Sequence, residues 1–181
     1  PDMLQHDEFM RYRRTKVAGG TYFFTVNLAD RSRRLLTEHI DLLRNSVKRV
    51  KYRHPFESVA WVVLPEHLHA VWTLPPGDAD FSTRWLLIKA AFSRGILRED
   101  HVPAASLRKG ERGIWQHRFW EHFVRDEDDL HRHIDYVHFN PVKHRYAERA
   151  GLWPYSSIHR YIRQGVLAPD WAGAGNDGGE R

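Results

Sequence analysis

An α+β fold, an antiparallel sheet with helices packed on one face, is what the order of elements in this chain predicts. Three observations carry it. β-forming runs alternate with helix-period stretches in the order βαββαβα. The second and third runs are joined by a short turn at Pro65-Glu66. With 181 residues and no internal repeat or linker, the chain is long enough for one cored domain and too short to expect two. That domain is expected over residues 1–165, followed by a Gly/Ala/Asp-rich tail over 166–181 expected to be disordered.

Taken in order, residues 1–20 form a basic lead-in ending at Gly19-Gly20, and TYFFTVNL (Thr21–Leu28) is the first strand, rich in aromatic and β-branched residues. From Thr37 to Arg53, Ile40, Leu43, Val47 and Val50 recur at helical spacing, with Thr37 as the expected N-cap. ESVAWVVL and HLHAVWTL supply the second and third strands. After a loop from Pro75 to Asp80, FSTRWLLIKAAFSRGI reads as a second helix closing near Gly95. Residues 99–113 are polar and basic and read as a mobile loop, and WQHRFWEHFV reads as the fourth strand. DEDDLHRHIDYVHF is the third helix, with acids in its first turn where the helix dipole favours them. It is expected to stop at Asn140, because proline disfavours helical geometry in the residue before it. A short helix from Ser156 to Arg163 completes the fold.

Composition narrows the function. Hydrophobic residues make up 41% and seven are Trp, a globular composition rather than a disordered one. No apolar run approaches the ~20 residues of a membrane span, and no apolar leader is visible at the N-terminus, so a cytoplasmic, nucleoid-associated protein without membrane contact is expected. Cysteine is absent, so any metal must be held by histidine, carboxylate, amide or water. A net charge of +5 and a pI near 9.6 favour a polyanionic partner. The stretches RKGERGIWQHRFW and WPYSSIHRYIR interleave cations with rings, as a protein that tracks phosphates and stacks unpaired bases requires. Surface arginine beside core aromatics is the plainer alternative.

Two places carry chemistry. In LPEHLHAVW, His67 and His69 project from the same face of a strand with Leu68 opposite. On the third helix, Leu130, Ile134 and Val137 define the core stripe, and Tyr136, Asn140 and His133 cluster at its edge. Tyr136 and Asn140 are i, i+4 neighbours. If that helix meets the strand face bearing the histidines, two imidazoles and an amide oxygen can hold one divalent cation, with the phenol a turn away. Mixed nitrogen and oxygen ligands suit Mn²⁺ and tolerate Mg²⁺. A metal so held polarises a phosphate for in-line attack by an aimed hydroxyl. Plainer roles remain open: solvated strand histidines, a core-edge tyrosine, a helix-capping asparagine. Glu66 is either a turn residue or a partner orienting the histidine pair. His131, His133 and His138 are expected to face solvent or phosphate.

HLH matches the His-hydrophobic-His signature of the HUH nucleases, and HIDYVHFNPVKH resembles the tyrosine helix of their single-tyrosine transposases. With LPEHLHAVW, GIWQHRFWEH and WPYSS, the chain from Tyr12 to Trp171 resembles the REP-associated tyrosine transposases, which are encoded beside repetitive extragenic palindromes in bacteria. The resemblance implies a ferredoxin-like fold and metal-dependent cleavage and joining of single-stranded DNA, through a 5′-phosphotyrosine, at REP hairpins preceded by a short guide tetranucleotide. It implies Tyr136 as nucleophile and His67, His69 and Asn140 as ligands of Mg²⁺ or Mn²⁺. Lys143 is a candidate phosphate contact, and Arg108, Lys109, Arg112 and Arg118 are candidate DNA contacts in the basic loop and the run after it. A monomer is expected, with a dimer the alternative. A hairpin-binding module without turnover and a metal-dependent hydrolase without covalent intermediate are the other readings. Arg145 departs from the glycine expected after NPVKH, and positive φ at that position would strain the turn by ~1 kcal/mol.

Overall fold

Alternation along the first strand sorts its side chains onto two faces. In β1 (Thr21–Asn27), Tyr22, Phe24 and Val26 point one way and Phe23 and Thr25 the other, which gives each face its own aromatic anchor. This computed structural model describes residues 16–96 and 113–171. β2 (Glu57–Val63), β3 (His67–Thr73) and β4 (Trp120–Phe123) complete a four-stranded sheet of order β2-β3-β1-β4, antiparallel throughout. The order places β1 and β3 at the centre, where both faces are buried. β2 and β3 are joined as expected across Pro65-Glu66, the Leu64 amide donating to the His67 carbonyl at 2.9 Å.

One face is covered by α2 (Ile40–Arg53) and α3 (Phe81–Gly95). Here Trp72 stacks on Phe56 and Trp85, with ring centroids 4.0 and 4.4 Å apart. At Gly95 a side chain would fall 2.5 Å from Leu42, so this glycine allows α3 to approach α2. Asp80 caps α3 by accepting from the Thr83 amide. The buried Arg84 donates to Asp78 and to the carbonyls of His54, Pro55 and Asp80, which fixes the entry into α3.

The other face takes α4 (Glu127–Lys143), whose Ile134 and Val137 pack with Phe23, Val62, Val71 and Trp153. A helix on each face follows from β1 and β3 being apolar on both. Beyond a 3₁₀ turn at Ala150–Leu152, the chain runs along β2. The Val63 amide donates to the Tyr155 carbonyl and the Ser157 amide to the Trp61 carbonyl, both at 2.8 Å, so this sheet edge is covered. α5 (Ile158–Arg163) follows, with Arg160 and Tyr161 donating to carbonyls of Ser58 and Val59.

Helices cover both faces of the sheet rather than the one face expected, because β1 and β3 are apolar on both, and four further expectations are corrected. Thr37 does not cap α2: it lies within a separate short helix, α1 (Leu35–Glu38), and its hydroxyl donates to the Arg34 carbonyl. Burial of Leu35 and Leu36 draws the chain inward one turn early, and His39 stands before α2 without a side-chain cap. β4 is only four residues long, since Trp115 pairs separately with Leu28. α4 does not stop at Asn140 but runs through Pro141 to Lys143. Proline there forfeits only its own amide bond, while its carbonyl accepts from Tyr146 at 2.8 Å and Ala147 at 3.3 Å. The helix then closes through Arg145, whose φ of 60° is the left-handed geometry the turn demands. The fourth correction is His138, which is fully buried rather than solvent-facing. Its Nε2 lies 2.9 Å from Ser157 Oγ, at the seam between α4 and the covered edge of β2. Of the expected tail, residues 172–181 lie outside the described residues, as does most of the expected loop at 99–113.

Candidate active site

β3 presents His67 and His69 to the α4 face, as alternation requires, and both are almost wholly buried, 3% and 2% exposed. Their rings meet edge to face with centroids 4.9 Å apart. His67 Nδ1 lies 2.9 Å from Glu66 Oε1. A carboxylate only accepts, so the proton sits on Nδ1 and the Nε2 lone pair is left for another partner. Burial pushes the Glu66 carboxyl up, but the charge and hydrogen bond of His67, with a bond from Tyr146, leave it below the usual carboxylate range. His69 Nδ1 lies 2.9 Å from Thr25 Oγ1 on the neighbouring strand, and its buried Nε2 has no hydrogen-bond partner. Burial holds both imidazoles below the usual histidine range, His69 strongly. Neutral imidazoles with free lone pairs are what a metal requires of histidine.

α4 supplies the facing side. The Tyr136 ring meets His69 edge-on at 5.2 Å and Phe23 at 5.8 Å. Lys143 Nζ sits 4.7 Å from the centre of that ring and 3.5 Å from its hydroxyl. Asn140 falls one turn beyond Tyr136. It is completely buried, and neither its Oδ1 nor its Nδ2 has a hydrogen-bond partner. An unsatisfied buried amide costs about 1–3 kcal/mol. Orphaned atoms on His69 and Asn140 therefore fit a bound cation better than a packed core. One turn further, His144 brings its ring to 5.1 Å from that of His67. Tyr146, past the left-handed turn, donates to Glu66 Oε2 at 3.1 Å, and Arg31 lies 3.6 Å from Oε1.

The strand histidines, Tyr136 and Lys143 thus meet, with Asn140 on the same stripe of α4. Arg118 is exposed in the segment leading into β4, and Arg108, Lys109 and Arg112 lie outside the described residues. Sequence reasoning missed His144, because α4 was ended too early, and Thr25 and Tyr146, because neither lies within a recognisable spacing. It also missed a second group. Among the described residues, His122, Asp129 and His133 place ligand atoms within 4.8 Å of one another. That spacing suits a metal, but the Asp129 carboxylate is heavily engaged. Its Oδ2 lies 2.8 Å from His122 Nε2 and accepts from the Arg125 amide and Nε, and Oδ1 accepts from Arg132. Burial opposes its ionisation, yet the bonds from His122 and Arg125 outweigh it and hold the carboxyl well below the usual range.

No family model matches the chain. A REP-associated tyrosine transposase of Escherichia coli (strain K12) is 46% identical over 172 residues, covering 94% of this chain and 96% of that protein. The chain belongs to the REP-associated tyrosine transposases. A Haemophilus influenzae protein provisionally assigned to the same group is 42% identical over 163 residues, covering 90% of this chain and 93% of its own. A solved structure of a REP-associated tyrosine transposase bound to a REP hairpin superposes with a TM-score of 0.81 at 45% identity, covering 94% of this chain and 96% of that one. Tyr22 is buried in the α2–α3 core, and Tyr52 is 87% exposed on α2. Tyr146 and Tyr161 spend their hydroxyls on Glu66 and on the Val59 carbonyl. The Tyr136 ring meets His69 at 5.2 Å, and its hydroxyl lies 3.5 Å from Lys143 Nζ.

Proposed function

We propose that this transposase cleaves and rejoins single-stranded DNA at REP-type hairpins, with Tyr136 as nucleophile and His67, His69 and Asn140 as ligands of Mg²⁺ or Mn²⁺. The observation that carries the reading is the Tyr136 side chain, whose hydroxyl lies 3.5 Å from Lys143 Nζ and whose ring meets that of His69 at 5.2 Å. Tyr136 Oη bonds to phosphorus as the P–O3′ bond breaks, giving a 5′-phosphotyrosine and a free 3′-hydroxyl. The phenolic proton is lost and the leaving oxygen gains one. The exchange of one phosphodiester for another keeps the bond energy available for rejoining. When bound, a divalent cation at the two imidazoles and the amide supplies Lewis acidity to the phosphate oxygens. Lys143 neutralises charge at the phosphate and orients the hydroxyl, work that placement alone performs. Arg118, with Arg108, Lys109 and Arg112, is assigned to the DNA path. Ligands, nucleophile and ammonium all come from one chain, which supports action as a monomer.

The test is adduct formation on a denaturing gel with REP hairpin oligonucleotides, in Mg²⁺, Mn²⁺ or chelator. A metal-dependent adduct that maps to Tyr136 and vanishes in Tyr136→Phe, with DNA affinity retained, is expected. Substantial adduct in that variant removes Tyr136 from the role. Cleavage without any adduct identifies a hydrolase, and tight binding without cleavage identifies a binding module.

A further inference from the structure

Strand register places Val62, His69, Thr25 and Trp120 in one row across the four strands, on the face that α4 covers. At ~4.8 Å per strand, Trp120 stands about 10 Å from His69. It is 44% exposed, yet it is fixed. Its ring lies parallel to His122, 12° between planes at 5.9 Å, and His122 stacks in turn on His133 at 4.5 Å. The Trp120 ring also meets Phe23 at 5.6 Å, and Phe23 is the residue against which Tyr136 packs. Asp129 anchors this column, close to both imidazoles, and draws in Arg125 and Arg132, whose side chains are 65% and 52% exposed. A tryptophan needed only to cover Phe23 would be buried against it. This one keeps much of its ring in solvent, held by a histidine column that Asp129 joins to two guanidinium groups.

We infer that Trp120 is a stacking platform for an unpaired base of the DNA strand flanking the phosphate that Tyr136 attacks, with Arg125 and Arg132 taking the neighbouring phosphates. The occupant is single-stranded DNA because the surface pairs an aromatic face with cations, the combination that unpaired nucleic acid satisfies on both counts. The indole offers a ring face but no set of base-edge partners, so it fixes where the strand lies rather than what it spells. Asp129 is a positioning residue, acting through His122 and the arginines. The inference rests on the tyrosine-nuclease reading.

The experiment uses REP hairpin oligonucleotides with a single-stranded flank, in which 2-aminopurine replaces one flanking base at a time. Binding to the wild-type protein is expected to quench the probe at one position next to the cleavage site. Trp120→Ala and Trp120→Leu, the latter keeping an apolar cover over Phe23, should lose that quenching. They should raise KM for adduct formation at least about fivefold, with kcat nearly unchanged, while Trp120→Phe retains most of both. An unaltered quenching profile and KM in Trp120→Leu overturns the platform. So does a loss confined to kcat, which makes Trp120 a support for Tyr136 through Phe23. A wild-type protein that binds but forms no adduct counts against the nuclease reading, and the quenching arm then decides the platform on its own.

Discussion

Arg145 holds a conformation that costs an L-residue about 1–2 kcal/mol, at the point where α4 turns back toward the site. Its amide donates to Val142 and that of Tyr146 to Pro141, so the turn cannot relax without losing both bonds. Arg145→Gly should therefore raise stability by about 1 kcal/mol and Tm by roughly 2–4 °C, offset in part by the freer unfolded chain. A thermal melt showing no rise would mean that the arginine side chain compensates its backbone. Glu66 offers a second test on the same loop of bonds. Glu66→Gln keeps the shape but weakens the hold on the His67 tautomer, and apparent Mn²⁺ affinity in a titration should fall about 10–100-fold. Unchanged affinity would separate Glu66 from the proposed ligands His67 and His69.

Among the elements, α4 carries the most. It caps itself with Asp126, presents Tyr136 and Asn140, and buries His138 at its seam with the edge of β2. Burial, with Arg160 and His159 nearby, pushes His138 down to about 4. An unfolded histidine titrates near ~6.5, so between these values the unfolded chain binds a proton that the folded one refuses. Stability is then full above pH ~6.5 and lost as pH falls toward 4, by about 3 kcal/mol at most. Urea melts with chelator present should show this slope, and His138→Gln should flatten it. An equal slope in the variant would place the acid sensitivity elsewhere. The core stripe of α4 and the Tyr136–Asn140 spacing were legible in the sequence because they are local periodicities. His138 was not, because its partner Ser157 arrives from 19 residues downstream. The proline rule ends the helix at Asn140, whereas only one amide bond remains to be lost there. β4 was read too long for a related reason: Trp115 through Phe123 has the composition of a strand, but only Trp120–Phe123 finds β1 beside it.

At the scale of the whole molecule, the basic balance finds a use only if the cations outside the site reach phosphate. Removing one phosphate contact lowers the salt slope of single-strand binding by ~0.7. Arg118→Ala should show that decrement in hairpin binding measured across a salt series, and an unchanged slope would route the strand away from the segment before β4. Among the described residues no helix is long and apolar enough to cross a membrane. The antiparallel sheet follows from element order and strand apolarity. Which face receives the third long helix does not, since β1 and β3 are apolar on both sides. The histidines on β3 point to that face, yet nothing local to them names their cover.

The placement of both imidazoles on one strand, opposite Thr25 and Asn27 of β1, also ties the site to the folding reaction. A slip of β3 by one residue would turn His67 and His69 into the α2–α3 layer and expose Leu68 and Ala70 to α4. No such slipped species could take up an ion between strand and helix. On the proposed ligand set, metal uptake during refolding would report the moment at which β1 and β3 lock in register.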